Sequence, residues 1–347
     1  MAYKNKKVTI LSIDGGGIRG IIPAVILNHI EKELQRQSGD PNATLADYFD
    51  LMAGTSTGGI LVAYYLLPPA PGQDCHSRYF ASEAIDLYAR FGKEIFKRRL
   101  MRFGVTKEKY PAIGMERLLN QYMGDVTLAQ TRKNCIITAY DITDRKAVLF
   151  TSPEARKDDC RNFLMRDITR ATSAAPVYFE VAAIRSLGGA VSYLIDGGVY
   201  AGNPTMCALV EANKTVFETC VHPAVNDLYI LSIGTGKEKQ IYDYRKAKRW
   251  GAIGWARPML DILLSASAEV VDYQMQQLFR VAQCRDCYMR LEPELGKAKP
   301  EMDDASDENI RQLKNAGERF IDEHHEELDE IVYRLMVNNG QPKNANQ

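Results

Sequence analysis

A serine in the segment MAGTSTGG (residues 52–59) has the surroundings that a catalytic nucleophile needs. Ser56 stands between Gly54 and Gly58 in a G-x-S-x-G pattern, after a strand-like run and before a helix-like run. The glycines allow a tight turn that holds the serine in an unusual backbone conformation with its hydroxyl outward. The following helix brings partial positive charge to a developing anion. A helix N-cap is the alternative interpretation, because serine and threonine are favoured at that position.

A serine nucleophile needs a base to accept its proton. The chain has five histidines, at positions 29, 76, 222, 324 and 325. Among them His222, which lies beyond a DGG segment, would complete a Ser–Asp–His order. Asp196 is the stronger candidate, because Gly197 and Gly198 after it permit close approach to a neighbouring loop. An aspartate with a pKa near ~4 is a weak base, so its site must raise that pKa by desolvation. Asp-Gly is also common in simple turns.

A third glycine-rich segment, residues 14–20 (DGGGIRG), follows the first strand-like run. Its glycines at 15, 17 and 20 match the G-x-G-x-x-G dinucleotide fingerprint, so a nucleotide-binding protein is an alternative function. That fingerprint also requires an acidic residue at the end of the second strand. Here the second strand leads into GTSTGG instead. Consecutive glycine amides can also converge on an oxyanion, with Arg19 adding positive charge.

The elements around these segments predict an α/β fold with a largely parallel sheet. Strand-like and helix-like runs alternate, and the strand-like runs repeatedly end in glycines. We expect strands at 7–13, 48–53, 192–195 and 228–233, helices at 21–34 and 60–67, and a strand pair at 134–140 and 147–151. In such sheets functional loops gather at the carboxyl ends of the strands. The serine, the aspartate and the glycine loop are therefore expected to come from three neighbouring strand ends.

Composition limits the classes of function. The chain has 347 residues, of which 46% are hydrophobic, and its 44 basic residues balance 44 acidic ones. This balance gives no overall attraction to nucleic acid, and we expect no nucleic-acid partner. No apolar run approaches the ~18 residues of a membrane span, and the start lacks the apolar length of a signal peptide. Seven scattered cysteines indicate reduced thiols and a cytoplasmic location. The single CxxC, at 284–287, lacks a second ligand pair, so we expect no metal.

The last part of the chain differs from the rest. Residues 307–337 are charged and place apolar side chains at helical spacing, which predicts one helix with one face on the core. Residues 338–347 are polar and are expected to form a flexible tail. We therefore divide the chain into a catalytic domain over residues 1–300, a C-terminal helix over 301–337 and the tail.

Four segments of the chain resemble sequence blocks of the patatin-like phospholipases, in the same order and spacing. They are IDGGGIRGIIPAVIL, LADYFDLMAGTSTGG, ATSAAPVYF and IDGGVYAGNP, and the resemblance extends from about residue 7 to about residue 235. It implies a three-layer α/β/α fold and a lipid acyl hydrolase that works through a Ser–Asp dyad and an acyl-enzyme, without metal or other cofactor.

The resemblance also implies roles for single residues. Ser56 matches the nucleophile and Asp196 the dyad aspartate. The oxyanion loop is matched by Gly15, Gly16, Gly17 and Arg19. The supporting positions are Asp14, Gly20, Gly54, Gly58, Gly197 and Gly198. Residues 172–176 (TSAAP) match a packing block, which we interpret as structural. The block after DGG often contains NNP in the family, whereas this chain has Gly202-Asn203-Pro204.

The expected partners follow from the same resemblance. The substrate would be a phospholipid or another acyl-ester lipid, reached by transient association with a membrane surface. Residues 93–103 and 246–264 mix basic and aromatic side chains, which suits an interfacial segment or an amphipathic helix packed on the core. The chain also resembles bacterial patatin-like effectors of antiviral signalling, which implies a cyclic nucleotide as an activator.

Overall fold

The computed structural model describes residues 6–73, 75–96, 110–237 and 242–340. Its strands are β1 (Val8–Ile13), β2 (Leu51–Gly54), β3 (Asn134–Asp141), β4 (Lys146–Thr151), β5 (Ala182–Arg185), β6 (Val191–Asp196), β7 (Leu228–Ile233) and β8 (Tyr288–Leu291). Its helices are α1 (Ile21–Ser38), α2 (Leu45–Tyr48), α3 (Thr57–Tyr65), α4 (Ala81–Ile95), α5 (Ile113–Met123), α6 (Ser152–Ala155), α7 (Met165–Thr172), α8 (Thr205–Lys214), α9 (Tyr244–Ala247), α10 (Ala252–Val281), α11 (Asp307–Glu323) and α12 (His325–Asn338).

The strands form one sheet whose larger part is parallel. β3, β2, β1, β7 and β8 lie side by side in that order, and each neighbouring pair is parallel. β4 and β6 run antiparallel to β3, and β5 runs antiparallel to β6. The prediction of a mostly parallel sheet and of a β3–β4 strand pair is confirmed. The second predicted strand is shorter than expected, because residues 45–48 form α2.

One edge of β3 is shared by two strands. Ile137 pairs with Gly54 of β2 and also with β4, while Ala139 pairs with Asp196 of β6 and also with β4. Since β4 occupies one edge along this whole stretch, β2 and β6 must follow each other along the opposite edge. They run in opposite directions, so their carboxyl ends meet. The expectation that Asp196 would stand at the end of a parallel strand was wrong, although Asp196 still arrives beside the end of β2.

Helices cover both faces of the sheet. Along β1, Leu11 and Ile13 point into one hydrophobic core, and Val8 and Ile10 point into another. The first core is closed by α1, α3, α4, α11 and α12, and the second by α8 and α10. This arrangement is the predicted three-layer α/β/α fold. α3 is buried along its whole length, which places the helix after Ser56 inside the molecule.

The C-terminal residues form two helices and not the single helix that the sequence predicts. α11 ends at Glu323, and α12 begins at His325. The chain breaks at His324, whose ring stacks on Phe320 with ring centroids 4.2 Å apart. Both helices contact α1. The expected apolar face is nevertheless present, since Leu313 and Leu335 are fully buried.

A long helix that the sequence analysis did not delimit crosses one face of the sheet, with Leu264 beside Gly15 and Gly198 and with Met275 in the second core. This helix, α10, has 30 residues and contains Pro258. The segment 246–264 that was considered for membrane contact covers the end of α9 and the first half of α10. Most of the other segment, 97–103 within 93–103, lies outside the described residues. Within the described ranges, no helix is long and apolar enough to cross a membrane.

Candidate active site

Ser56 stands on a strained turn between β2 and α3. Its backbone angles are φ 53° and ψ −121°, in a region that residues other than glycine rarely adopt. The turn is possible only because glycines surround it. A Cβ on Gly58 would lie 2.1 Å from the carbonyl oxygen of Ile13, and one on Gly54 would lie 2.4 Å from that of Gly58. The amide of Ser56 donates to Oγ1 of Thr172 at 2.8 Å. The geometry therefore matches the strained turn predicted for a nucleophile.

Asp196 is buried beside Ser56. Its carboxylate accepts a hydrogen bond at 2.7 Å from the amide of Gly198. Burial raises the pKa of Asp196 to about 7, and the neighbouring Ser56 side chain and the Gly198 amide oppose that rise. A carboxylate with such a pKa is a far better base at neutral pH than a solvated aspartate. Gly197 permits this placement, because a Cβ there would lie 2.1 Å from Oγ1 of Thr138.

The glycine loop after β1 lies against the same turn. A Cβ on Gly15 would be 3.3 Å from Cβ of Ser56. The Gly15 amide is engaged, since it donates to the carbonyl of Gly202 at 2.9 Å. The amides of Gly16 and Gly17 are therefore the candidate oxyanion donors, and the expectation of all three glycines acting together is not met in this structure. Arg19 is buried and donates from its backbone amide to the Gly16 carbonyl at 3.2 Å, with Nε at 3.4 Å, so it holds the turn.

The space beside the glycines that match the dinucleotide fingerprint is occupied by the protein's own atoms. A Cβ on Gly17 would lie 2.3 Å from the carbonyl oxygen of Met302, and one on Gly20 would lie 2.2 Å from Oγ1 of Thr57. In a dinucleotide site these glycines let the backbone approach a pyrophosphate and pack a helix on a strand. Here they let the loop pack against α3 and the C-terminal part of the chain.

Asp14, the first residue of the glycine loop, is paired with a residue that the sequence analysis missed. Arg290 of β8 donates to both carboxylate oxygens of Asp14, and both side chains are nearly buried. Arg290 also contacts Glu292 and donates to Oγ of Ser232 at 2.9 Å. Burial raises the pKa of Asp14 to about 6, against the lowering effect of Arg290. No local pattern around Arg290 indicated this role.

An apolar pocket opens at Ser56 and Asp196. The space within it, counted together with the open solvent at its mouth, is about 760 Å³. Its walls are largely aliphatic and aromatic, with Ile18, Ile60, Tyr88, Ile95, Phe96, Ala175, Pro176, Tyr178, Phe179, Val199, Leu264 and Met302 among the lining residues. Few polar groups reach it, so it suits a hydrocarbon chain attached to a group that Ser56 can attack.

Leu264 of α10 closes one side of this pocket. Its Cδ2 atom lies 3.2 Å from a Cβ built on Gly15 and 2.4 Å from one built on Gly198. Gly202 also has no room for a side chain, because a Cβ there would be 2.6 Å from the Leu264 carbonyl oxygen. The amide of Gly202 donates to Oγ of Ser267 at 3.0 Å. The departure from the family pattern at Gly202 is thus explained by the close approach of α10.

The structure does not bring a histidine to the site. None of the described residues that line the pocket is a histidine. His222 is exposed, and its Nδ1 lies 3.2 Å from the carbonyl oxygen of Asn213 in the α8 region. The alternative Ser–Asp–His order is therefore not supported, and Asp196 is the carboxylate that lines the pocket together with Ser56.

Comparison with known proteins places the chain in a family. The family model of the patatin-like phospholipases matches residues 11–209. Patatin-like protein 2 of Oryza sativa is 35% identical over 94% of this chain and 86% of its own length. Patatin-like protein 4 of Arabidopsis thaliana is 33% identical over 98% and 92% of the two chains. A crystal structure of VipD from Legionella pneumophila covers 92% of this chain and 67% of its own, at 12% identity and a TM-score of 0.37, too distant a likeness for the two sites to be compared. The chain belongs to the patatin-like phospholipase family.

Proposed function

We propose that this protein is a lipid acyl hydrolase of the phospholipase A type that works through a Ser56–Asp196 dyad. The observation that carries the proposal is the placement of Ser56, on a strained turn, beside the buried carboxylate of Asp196 in the wall of one apolar pocket. Family membership supports activity on lipid acyl esters. The geometry of the site supports Ser56 and Asp196 as the residues of the dyad.

Acylation follows from the groups present. Asp196 accepts the Ser56 proton as the serine oxygen attacks the ester carbonyl. The amides of Gly16 and Gly17 face the developing oxyanion, and Arg19 and Asp14 hold their loop in place. The proton then passes from Asp196 to the leaving alcohol, and the fatty-acyl group stays on Ser56 with its chain in the apolar pocket. Water releases the fatty acid in a second step.

Access to lipid is proposed to occur through α10. The ring of Trp250 makes edge-to-face contacts with two other aromatic rings. Its centroid lies 5.3 Å from that of Tyr242 and 5.0 Å from that of Trp255. On α10, Trp255, Met259 and Leu263 are spaced four residues apart and are exposed. The basic side chains of Arg245, Lys248 and Arg249 nearby are exposed as well. An apolar stripe flanked by basic residues suits the surface of an anionic bilayer, and Leu264 follows directly on the stripe at the pocket wall.

The test is covalent labelling of the serine. Wild-type protein is incubated with a fluorophosphonate ester, and its intact mass is compared with that of Ser56→Ala and Asp196→Asn. We expect one adduct on the wild type, none on the serine variant and slow labelling of the aspartate variant. Ser38→Ala and Asp144→Asn, which change a half-buried and an exposed side chain away from the pocket, should label like the wild type. A wild-type adduct that persists in Ser56→Ala would contradict the dyad.

Two further features stay proposals, one from the family resemblance and one from the glycine spacing of residues 14–20. Activation by a cyclic nucleotide predicts that labelling of the wild type accelerates when cyclic mono- or dinucleotides are added, and an unchanged rate contradicts it. The alternative function, nucleotide binding through the 14–20 loop, predicts tight binding of NAD that is indifferent to Ser56→Ala. Isothermal titration with NAD separates that alternative from the hydrolase.

A further inference from the structure

A second cavity adjoins the apolar pocket beside Gly15. It has a volume of about 380 Å³, and most of the side chains around it are polar or charged. Leu264 lines both spaces. Gly15 lines the second cavity, and a Cβ built on Gly15 would lie 3.3 Å from Cβ of Ser56 and 3.2 Å from Cδ2 of Leu264. The two spaces therefore meet beside the nucleophile, with the Leu264 side chain between them.

Arg19 lines this second cavity and not the pocket at Ser56. The residue is only 6% exposed, and its guanidinium makes one hydrogen bond within the described ranges, from Nε to the Gly16 carbonyl at 3.4 Å. No acidic side chain of those ranges pairs with it. Its two Nη atoms are not among the buried polar atoms that are sealed from water, so they are open to the cavity. A buried charge without a partner is costly, which indicates an anion that arrives with a ligand.

Lys237 adds a second positive charge at the same cavity. Its side chain is exposed and forms no ion pair with any residue that the structure describes. Arg290, the third basic residue of the lining, is already engaged in buried ion pairs. A Cβ on Gly16, whose carbonyl accepts from Arg19, would lie 2.2 Å from Oγ1 of Thr235, two residues before Lys237. The two unpaired cations therefore belong to the same wall of the cavity.

Helix α10 supplies the acidic wall of the cavity. Asp261, Glu269 and Asp272 line it and are spaced so that they fall on one face of the helix. In the described part of the chain, none of the three forms an ion pair with a basic side chain. Asp261 accepts from the hydroxyl of Tyr242 at 2.9 Å, and Asp272 accepts from that of Tyr288 at 2.8 Å, and both donors are neutral. The cavity thus carries positive charge on its loops and negative charge on α10.

We propose that this cavity binds the head group of a zwitterionic phospholipid whose ester lies at Ser56. The inference rests on the proposed function. The phosphate lies at Arg19 and Lys237, and the ammonium group faces the carboxylates of α10. A phosphate alone is repelled by these carboxylates, and an ammonium alone leaves Arg19 buried without an anion, so a head group with both charges is the best complement. The acyl chain occupies the apolar pocket, and Leu264 separates it from the head group.

The experiment compares kcat/KM for three dihexanoyl lipids that differ in the head group: phosphatidylethanolamine, phosphatidic acid and diacylglycerol. They are used as monomers, below the concentration at which micelles form, so binding to a lipid surface does not contribute. We expect the wild type to prefer phosphatidylethanolamine and to be slowest on diacylglycerol. Lys237→Gln should lower kcat/KM for both phosphate lipids relative to diacylglycerol by about threefold or more, the effect of an exposed charge contact. Glu269→Gln should lower the ratio of phosphatidylethanolamine to phosphatidic acid by a similar factor.

Both variants change exposed side chains, whereas Arg19 is not replaced because it also holds the glycine loop. Lys146→Gln and Glu308→Gln change exposed charges that line neither space, and they should keep the wild-type ratios. Equal kcat/KM values of the wild type on the three lipids would overturn the inference. Ratios that stay the same in Lys237→Gln and Glu269→Gln would overturn it as well.

Inorganic phosphate tests the other source of the same anion. A cavity that takes free phosphate predicts that added phosphate changes hydrolysis of p-nitrophenyl butyrate by the wild type and not by Lys237→Gln, while the three lipids are hydrolysed alike. That result would contradict the head-group assignment. Failure of the proposed function looks different, because the wild type would then hydrolyse none of the three lipids and form no fluorophosphonate adduct that depends on Ser56.

Discussion

Arg290 holds the carboxylate of Asp14 with two hydrogen bonds, from Nη1 to Oδ1 at 3.0 Å and from Nη2 to Oδ2 at 2.6 Å. The two residues lie 276 positions apart in the chain. Asp14 opens the glycine loop, and Arg290 belongs to the strand at the end of the sheet. The C-terminal third, which lies beyond the four sequence blocks but within the match to the plant relatives, thus supports the glycine loop beside Ser56.

Replacing Arg290 should destabilise the protein strongly. Arg290→Ala leaves the Asp14 charge buried without its partner, which costs about 3–5 kcal/mol in comparable buried pairs. Arg290→Lys keeps a positive charge but loses the planar two-point contact, so its loss should be intermediate. The free energy of unfolding is measured by urea denaturation.

A matched control is Arg311→Ala, which removes an exposed arginine paired with Glu308 on one turn of α11. Exposed pairs contribute about 0–1 kcal/mol, so this variant should unfold close to the wild type. Equal unfolding curves for Arg290→Ala and Arg311→Ala would show that the Asp14 contact does not support the loop.

The rate of acylation should rise with pH through neutrality. Burial raises the pKa of Asp196 to about 7, and only the ionised carboxylate can accept the Ser56 proton. The value of kcat/KM, measured on a soluble ester between pH 5 and 9, should therefore be low at acid pH, reach half its maximum near pH 7 and level off above it. A rate that is flat from pH 5 to 8 would mean that the base is not a carboxylate with this raised pKa.

The same buried carboxylate should make the fold less stable as pH rises from about 4 to about 7. Between the ordinary aspartate pKa of 3.8 and the folded value of about 7, the folded protein keeps a proton that the unfolded chain has released. The free energy of unfolding therefore falls as pH rises through this window, by up to about 1.4 kcal/mol per pH unit.

Asp196→Asn removes that titration. The variant should gain stability relative to the wild type as pH rises from about 4 to about 7, and the difference should stay constant above pH 7. Urea unfolding of both proteins at pH 5, 6, 7 and 8 measures it. A difference that does not change with pH would contradict the raised pKa, whatever the activity of the variant.

The sequence predicted those parts of the site that are local in the chain. The turn around Ser56 and the loop at 14–20 are short motifs, and their glycines are required by contacts within a few ångströms. The direction of β6 was not predictable in the same way. The residues of a strand do not indicate whether it runs parallel or antiparallel to its neighbour. The order of the elements before β6, which is β4, α6, α7 and β5, is compatible with either direction.

Other features depend on contacts between distant elements. Nothing near Arg290 indicates that it pairs with Asp14, because the pairing exists only once β8 joins the sheet. The break at His324 also has no glycine or proline to signal it, and the apolar spacing of one helix continues across it. Only the structure reveals the break, because there α11 and α12 pack on α1 as two separate helices. The division into residues 1–300, 301–337 and a tail stays a prediction.

The exposed stripe on α10 gives a last prediction, about lipid surfaces. Trp255 and Leu263 are 38% and 37% exposed, and neither lines the pocket at Ser56. Each Trp255→Ser and Leu263→Ser change should weaken binding to vesicles of phosphatidylcholine and phosphatidylglycerol by about tenfold, because transfer of one large apolar side chain from water contributes roughly 1.5–3 kcal/mol when complete. Vesicle binding is measured by co-sedimentation, and hydrolysis of a soluble short-chain ester is followed in parallel and should change less than twofold.

Val281→Ser is the matched control, since Val281 is 82% exposed at the far end of the same helix. A control that loses as much vesicle binding as the other two would show that this stripe is not the surface that meets the bilayer.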